Sequence, residues 1–159
     1  MMTFSRSLVV MALAFAGCAD SEGGGDIVET PLSGKVAGQP WTFQVGSTNA
    51  FLSDDTSFFA SLYATPYTAC VDSEPTTAHL LVSVPRKPGE YALTAGLNVT
   101  FAFGLDNLLS LHGKIIVDSV TATSVSGGLV TRYDDGNDVN GQFELTICPD
   151  EFAAPPAGR

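Results

Sequence analysis

The chain has 159 residues, with 7 basic against 17 acidic side chains, a formal charge of −10 and only 15% charged residues. That length holds one core with short appendages, and 45% hydrophobic content with ten Phe excludes wholesale disorder. The acidic balance excludes a nucleic-acid partner, which selects basic stripes, and two His without a metal-ligand cluster leave few catalytic arrangements to build.

In chain order, Arg6 is the only charge among the first eighteen residues, and Leu8 to Ala16 is an unbroken apolar run. A run this short falls well below the roughly 20 residues that cross a bilayer, so it reads as the apolar region of a signal peptide. It ends in Phe15-Ala16-Gly17-Cys18. This resembles the lipobox of bacterial lipoproteins, with small residues directly before the Cys and Phe15 where Leu is usual. The resemblance implies that residues 1–17 are removed and that Cys18 becomes the lipidated first residue, bearing a diacylglyceryl group and an amide-linked fatty acyl chain such as palmitate. Two or more acyl chains anchor stably, at about 0.8 kcal/mol per buried CH₂. Asp20 stands one place beyond the position associated with inner-membrane retention. The expected location is therefore the cell envelope at the outer membrane, on its periplasmic face or at the cell surface. Removal of 1–17 takes away Arg6 and no acid, so the acyl chains and not a basic patch must hold the protein to the membrane.

Residues 18–30 follow as the lipidated Cys and a Gly-rich acidic tether, which is too polar to repay the entropy of ordering. The twelve residues 19–30 would reach about 17–21 Å as a flexible coil. Residues 31–152 form the body, and 153–159, with Pro155-Pro156, form a frayed tail.

Within the body the apolar period is two. Trp41, Phe43 and Val45 alternate with polar residues, as do Leu80, Val82 and Val84. The same holds for Leu97, Val99, Phe101 and Phe103, and for Val139, Gly141, Phe143, Leu145 and Ile147. Val117 to Val125 is rich in Thr and Val, which favour strands. Turn signals fall at Ala37-Gly38-Gln39-Pro40, Lys87-Pro88-Gly89, Ser126-Gly127-Gly128 and Asp134-Asp135-Gly136-Asn137. Leu105 to Leu111 is the one segment tempting as a short helix. These patterns predict an all-β domain of about eight or nine strands: an antiparallel β-sandwich of jelly-roll or Ig-like type, or else a small β-barrel.

With Cys18 assigned to lipid, Cys70 and Cys148 remain as a pair in an exported chain, and a disulfide between them is expected. Closing a loop of that size stabilises by about 4.5 kcal/mol in the chain-entropy account.

Two groups are candidates for ligand binding. Asp134, Asp135, Asn137, Asp138 and Asn140 carry closely spaced oxygens of the kind Ca²⁺ requires, although the spacing is not that of an EF-hand and an ordinary hairpin turn uses the same residues. Tyr63 and Tyr67 are the aromatic residues best suited to stack on a sugar ring, with core packing as the ordinary fate of their Phe and Trp neighbours. His79 and His112 have no nucleophile or second ligand at a recognisable spacing, and Asn98-Val99-Thr100 is a coincidental sequon inside a strand.

Gly34 to Phe43 resembles the opening hairpin of uncharacterised bacterial lipoprotein domains, and Val139 to Cys148 resembles their closing strand. The resemblance implies a β-sandwich with no catalytic residues to carry over. The expected function is a non-enzymatic, membrane-anchored lipoprotein with an envelope-structural or binding role, a protein or glycan partner and no cofactor. The alternative is a carbohydrate- or calcium-binding lipoprotein module.

Overall fold

The computed structural model describes residues 25–149, and every regular element among them is a strand. In chain order these are β1 (Ser33–Val36), β2 (Gln39–Thr42), β3 (Val45–Asn49), β4 (Ser57–Tyr63), β5 (His79–Pro85) and β6 (Gly89–Ala92). They continue with β7 (Val99–Phe103), β8 (Asp106–Ser110), β9 (Gly113–Val120), β10 (Ser124–Asp134) and β11 (Asn137–Thr146).

Antiparallel pairing makes two runs. One is β6-β9-β10-β11, with β1 on β11 and β2 on β1; the other is β3-β4-β5-β7-β8. They meet at a single parallel pair, Thr146 with Ser47, so the eleven strands form one mixed sheet that curls into a half-barrel. The all-β class expected from the alternation is present. The count exceeds eight or nine because the chain folds back in very short strands at β1–β2, β6 and β8.

Period two sets the core. Phe58, Ala60 and Leu62 of β4, Leu80, Val82 and Val84 of β5, and Val99 and Phe101 of β7 point inward from one run. Ile115 and Val117 of β9, Leu129 of β10, and Val139, Phe143 and Leu145 of β11 meet them from the other.

Two local expectations are overturned. Leu105 to Leu111 is not helical: the chain turns at Gly104, whose φ is 58°, and Asp106–Ser110 pairs with Val99–Phe103. Pairing Leu108 with buried Phe101 outweighs the weak helical preference of an isolated turn. Ser126-Gly127-Gly128 is not a turn but lies inside β10; the turn falls earlier, at Thr121–Thr123. A Cβ on Gly127 would collide with the Ile116 carbonyl, at an irregularity in the β9–β10 register. A Cβ on Gly128 would stand 2.5 Å from the Ile27 side chain. These glycines permit close approach within a sheet rather than a change of direction.

Ile27 belongs to a strap. Asp26 to Thr30, read from sequence as the end of the spacer, lies along β11. The Asn140 side chain accepts from Val28 N–H at 3.1 Å and donates to the Asp26 carbonyl at 3.0 Å. Gln142 donates through its side chain to the Val28 carbonyl at 3.4 Å, and its N–H donates to the Thr30 carbonyl at 2.8 Å.

Gly127→Ala should cost about 2–4 kcal/mol by urea denaturation, because the obstacle is backbone. Gly38→Asn should cost less than about 1 kcal/mol, since Gly38 has φ 73° in open space and Asn accepts that region. Equal costs at the two positions would contradict this account of the glycines.

Candidate functional site

The outer face of β3 and β4 is covered by the long loop between β4 and β5, residues 64–78. Alternation along β4 turns Ser61 and Tyr63 away from the core, yet both are buried, and Tyr63 is only 2% exposed. Glu74 of the loop accepts hydrogen bonds from Tyr63 Oη at 3.1 Å and Ser61 Oγ at 3.4 Å. Tyr67 Oη shares a 2.8 Å bond with Ser47 Oγ of β3 and sets its ring edge-on to Tyr63, with centroids 5.4 Å apart. The His79 ring stacks on Tyr63 at 4.7 Å, and its Nδ1–H donates to the Thr77 carbonyl at 2.8 Å. Trp41 Nε1–H donates to the Ala78 carbonyl, which fastens the end of the loop to β2.

Tyr63 and Tyr67 therefore come together as the sequence pairs them, but facing each other under a loop rather than outward as a platform. Burial raises the Tyr63 phenol above its ordinary range, and the charge of Glu74 adds to the effect. Burial also raises Tyr67, with Glu74 as a lesser cause, opposed by the bond to Ser47. The arrangement carries hydroxyls and one carboxylate, with His79 turned toward a carbonyl. Among the described residues no hydroxyl is bonded to an imidazole, the contact that activates a serine nucleophile. Glu74, Ser47 and Ser61 carried no signal in the sequence; an isolated Glu in a polar loop looks the same whether solvated or bonded.

Cys70 and Cys148 lie at disulfide distance, with Cα atoms 5.4 Å apart, and tie the same loop to the end of β11. Cys148 N–H also donates to Thr48 Oγ1 of β3 at 3.0 Å. Cys70 has a φ of 63°. That left-handed backbone costs a non-glycine residue about 1–2 kcal/mol, which the cross-link and the Thr68–Asp72 turn around it must offset.

The acidic turn is built into neighbouring contacts. Asp134 Oδ1 accepts from Gly136 N–H and from the Asn137 side chain, both at 2.9 Å. Asn137 Oδ1 accepts from Ala37 N–H at 2.8 Å, and Gly38 N–H of the same β1–β2 tip donates to the Gly136 carbonyl at 2.9 Å. Asp135 pairs with Arg132, and its carbonyl accepts from Lys35 Nζ at 3.2 Å. Asn140 is occupied by the strap. Asp138 faces Lys35 in the β1–β11 register. The five candidate calcium residues thus lie on one hairpin, but four of them are engaged in holding the turn, the β1–β2 tip and the strap. Among the described residues no three of His, Cys, Asp and Glu gather as a metal-binding group.

Cys18 and the signal region lie outside the described residues. Elsewhere, sequence reasoning missed Arg86, whose guanidinium sits 4.1 Å from the Phe58 ring centroid. It also missed Asp54, whose carboxyl is held down at about 2 by hydrogen bonds from the Thr56 side chain, then from the Thr56 and Ser57 backbone.

Compared with protein-family models, with curated proteins and with solved structures, the chain finds no match in any of the three.

The buried tyrosines predict a pH dependence. A phenol whose folded pKa is raised contributes stability that is fully present below the unfolded value of about 10 and is lost as pH rises through the folded value. Stability from urea titrations should therefore fall above about pH 10, and Tyr63→Phe/Tyr67→Phe should flatten that fall even if it lowers stability at pH 7. An alkaline limb unchanged in the double variant would contradict the assignment.

Proposed function

We propose that this chain is a lipid-anchored protein of the bacterial envelope whose β-domain serves a structural or binding role and not catalysis. The observation that carries the reading is the segment Leu8–Cys18, a short apolar run ending in Ala16-Gly17-Cys18 and followed at once by polar residues. Acyl groups on Cys18 hold the protein at the outer membrane.

We read the two antiparallel runs as the layers of a sandwich with Thr146–Ser47 as its corner. Supporting this, β5 faces β9 and β1 faces β7 across the core. The strap lies on the β10–β11 layer. With Asp26–Thr30 docked there, the spacer contracts from residues 19–30 to residues 19–25. The β10–β11 layer therefore faces the bilayer, and the other layer faces away.

That second layer carries most of the large exposed apolar side chains. Phe51 and Leu52 lie in the β3–β4 loop, Val71 in the β4–β5 loop, Leu105 in the β7–β8 turn, and Leu109 and Leu111 on and just after β8. Apolar groups presented away from the membrane suit a protein partner. The glycan alternative is weaker, because the rings of Tyr63 and Tyr67 are turned to each other under the loop.

Globomycin treatment or Cys18→Ser should leave unprocessed precursor and abolish incorporation of labelled fatty acid. Mass spectrometry of the mature protein should find an acylated N-terminal Cys18. A mature N-terminus elsewhere, or an unmodified Cys18, would overturn the proposal.

A further inference from the structure

In a chain this acidic, two cations stand without an acid among the described residues. Lys114 pairs with Glu90, Arg132 pairs with Asp135, and Lys35 donates to the Asp135 carbonyl opposite Asp138. Arg86 and Lys87 have no such partner. The Arg86 guanidinium lies over the Phe58 ring and gives its Nε–H to the Asp54 carbonyl. The Asp54 carboxylate is taken by Thr56 and Ser57. Asp55 shares a small hollow with Arg86 and Lys87 but is ion-paired with neither.

Arg86 and Phe58 also line a second hollow of about 220 Å³, together with Ala50, Ser53, Ile147 and Cys148. Between Ala50 and Ser53 stand Phe51 and Leu52, which are 82% and 54% exposed. Cys148 is fixed at this hollow by its cross-link to Cys70 and its N–H bond to Thr48. The chain leaves it through Pro149 into Asp150, Glu151 and Phe152, two acids and then an aromatic, which lie outside the described residues.

We propose that Asp150-Glu151-Phe152 docks back across this hollow, its acids meeting Arg86 and Phe152 covering Phe51 and Leu52. The reach is sufficient. An extended chain advances about 3.3–3.6 Å per residue, so acids two and three residues beyond Cys148 sweep roughly 7–11 Å from a residue that already shares the hollow with Arg86. The charges are complementary, and a guanidinium fork accepts a carboxylate through two parallel bonds. A tether this short holds the segment at a local concentration on the order of millimolar, so one ion pair and one aromatic contact suffice. A separate partner would have to displace a segment already fastened at the rim. Leu105, Leu109 and Leu111 stay open to a protein partner, and the docking needs no lipid anchor.

The whole chain in detergent would carry the photo-crosslinking analogue p-benzoylphenylalanine in place of Phe152. Illumination should link position 152 to residues 50–53 of the same chain, mapped by mass spectrometry of the digest. Asp150→Asn/Glu151→Gln should lower the yield about threefold, the scale of a part-exposed ion pair. Arg86→Gln should lower it equally, and the combination should lower it no further. Amide exchange in β5 would show that Arg86→Gln is folded; if it is not, the acid variant alone decides. A link to another region or between chains, no link at all, or a yield indifferent to the acids would overturn the proposal. Additive losses from the acids and Arg86 would overturn their pairing.

Discussion

The fold depends on a seam one residue pair wide. Every described strand belongs to an antiparallel ladder of several paired residues, but among them the two runs share strand pairing only where Thr146 meets Ser47. Side-chain bonds between Ser110 of β8 and the Arg132 carbonyl and Thr131 hydroxyl of β10 make a second link. A single parallel pair contributes little by itself, since a typical hydrogen bond nets about 0.5–1.5 kcal/mol. Other contacts concentrate there. Cys148 binds Thr48 through its N–H, Cys70 cross-links to Cys148, and Tyr67 reaches Ser47. The β4–β5 loop is therefore a clamp: it starts on one run, fastens to the end of the other, and covers the polar outer face of β3 and β4 as it passes.

The constraint also accounts for the polar character of the clamp. Ser47, Ser61 and Tyr63 face outward from the core and would be solvated without the loop. The loop satisfies them with Glu74 and Tyr67, and no buried side-chain nitrogen or oxygen among the described residues lacks a partner. Sealing by hydrogen bonds in place of apolar packing suits a segment held mainly by a covalent link. On the opposite side the strap uses the same device, with the Asn140 and Gln142 side chains binding its backbone.

Much of the core was legible because burial on one face of a strand leaves a period of two. Val82, Val99, Phe101, Val139, Phe143 and Leu145 were readable for that reason, and the cysteine pair followed from exclusion once Cys18 was assigned. What was not legible depended on neighbours distant in the chain. Gly127 and Gly128 spell a turn locally, yet Ile116 and Ile27 give them their use. Leu105–Leu111 has helical spacing only until Phe101 is placed beside Leu108. The acidic turn reads the same locally whatever it does, and its hold on Ala37 through Asn137 and on the strap through Asn140 depends on residues about a hundred positions away. Glu74 and the strap left no periodic trace at all.

The seam is tested most directly by residue-resolved hydrogen exchange on the chain before and after reduction of the Cys70–Cys148 pair. With the cross-link intact, amides of β4–β5 and of β10–β11 should exchange with one common free energy, as a single cooperative unit does. After reduction, β3 and residues 64–78 should lose protection first, while the β10–β11 ladder keeps its own. Equal loss throughout, or loss that begins in β10–β11, would contradict a fold stapled at that point.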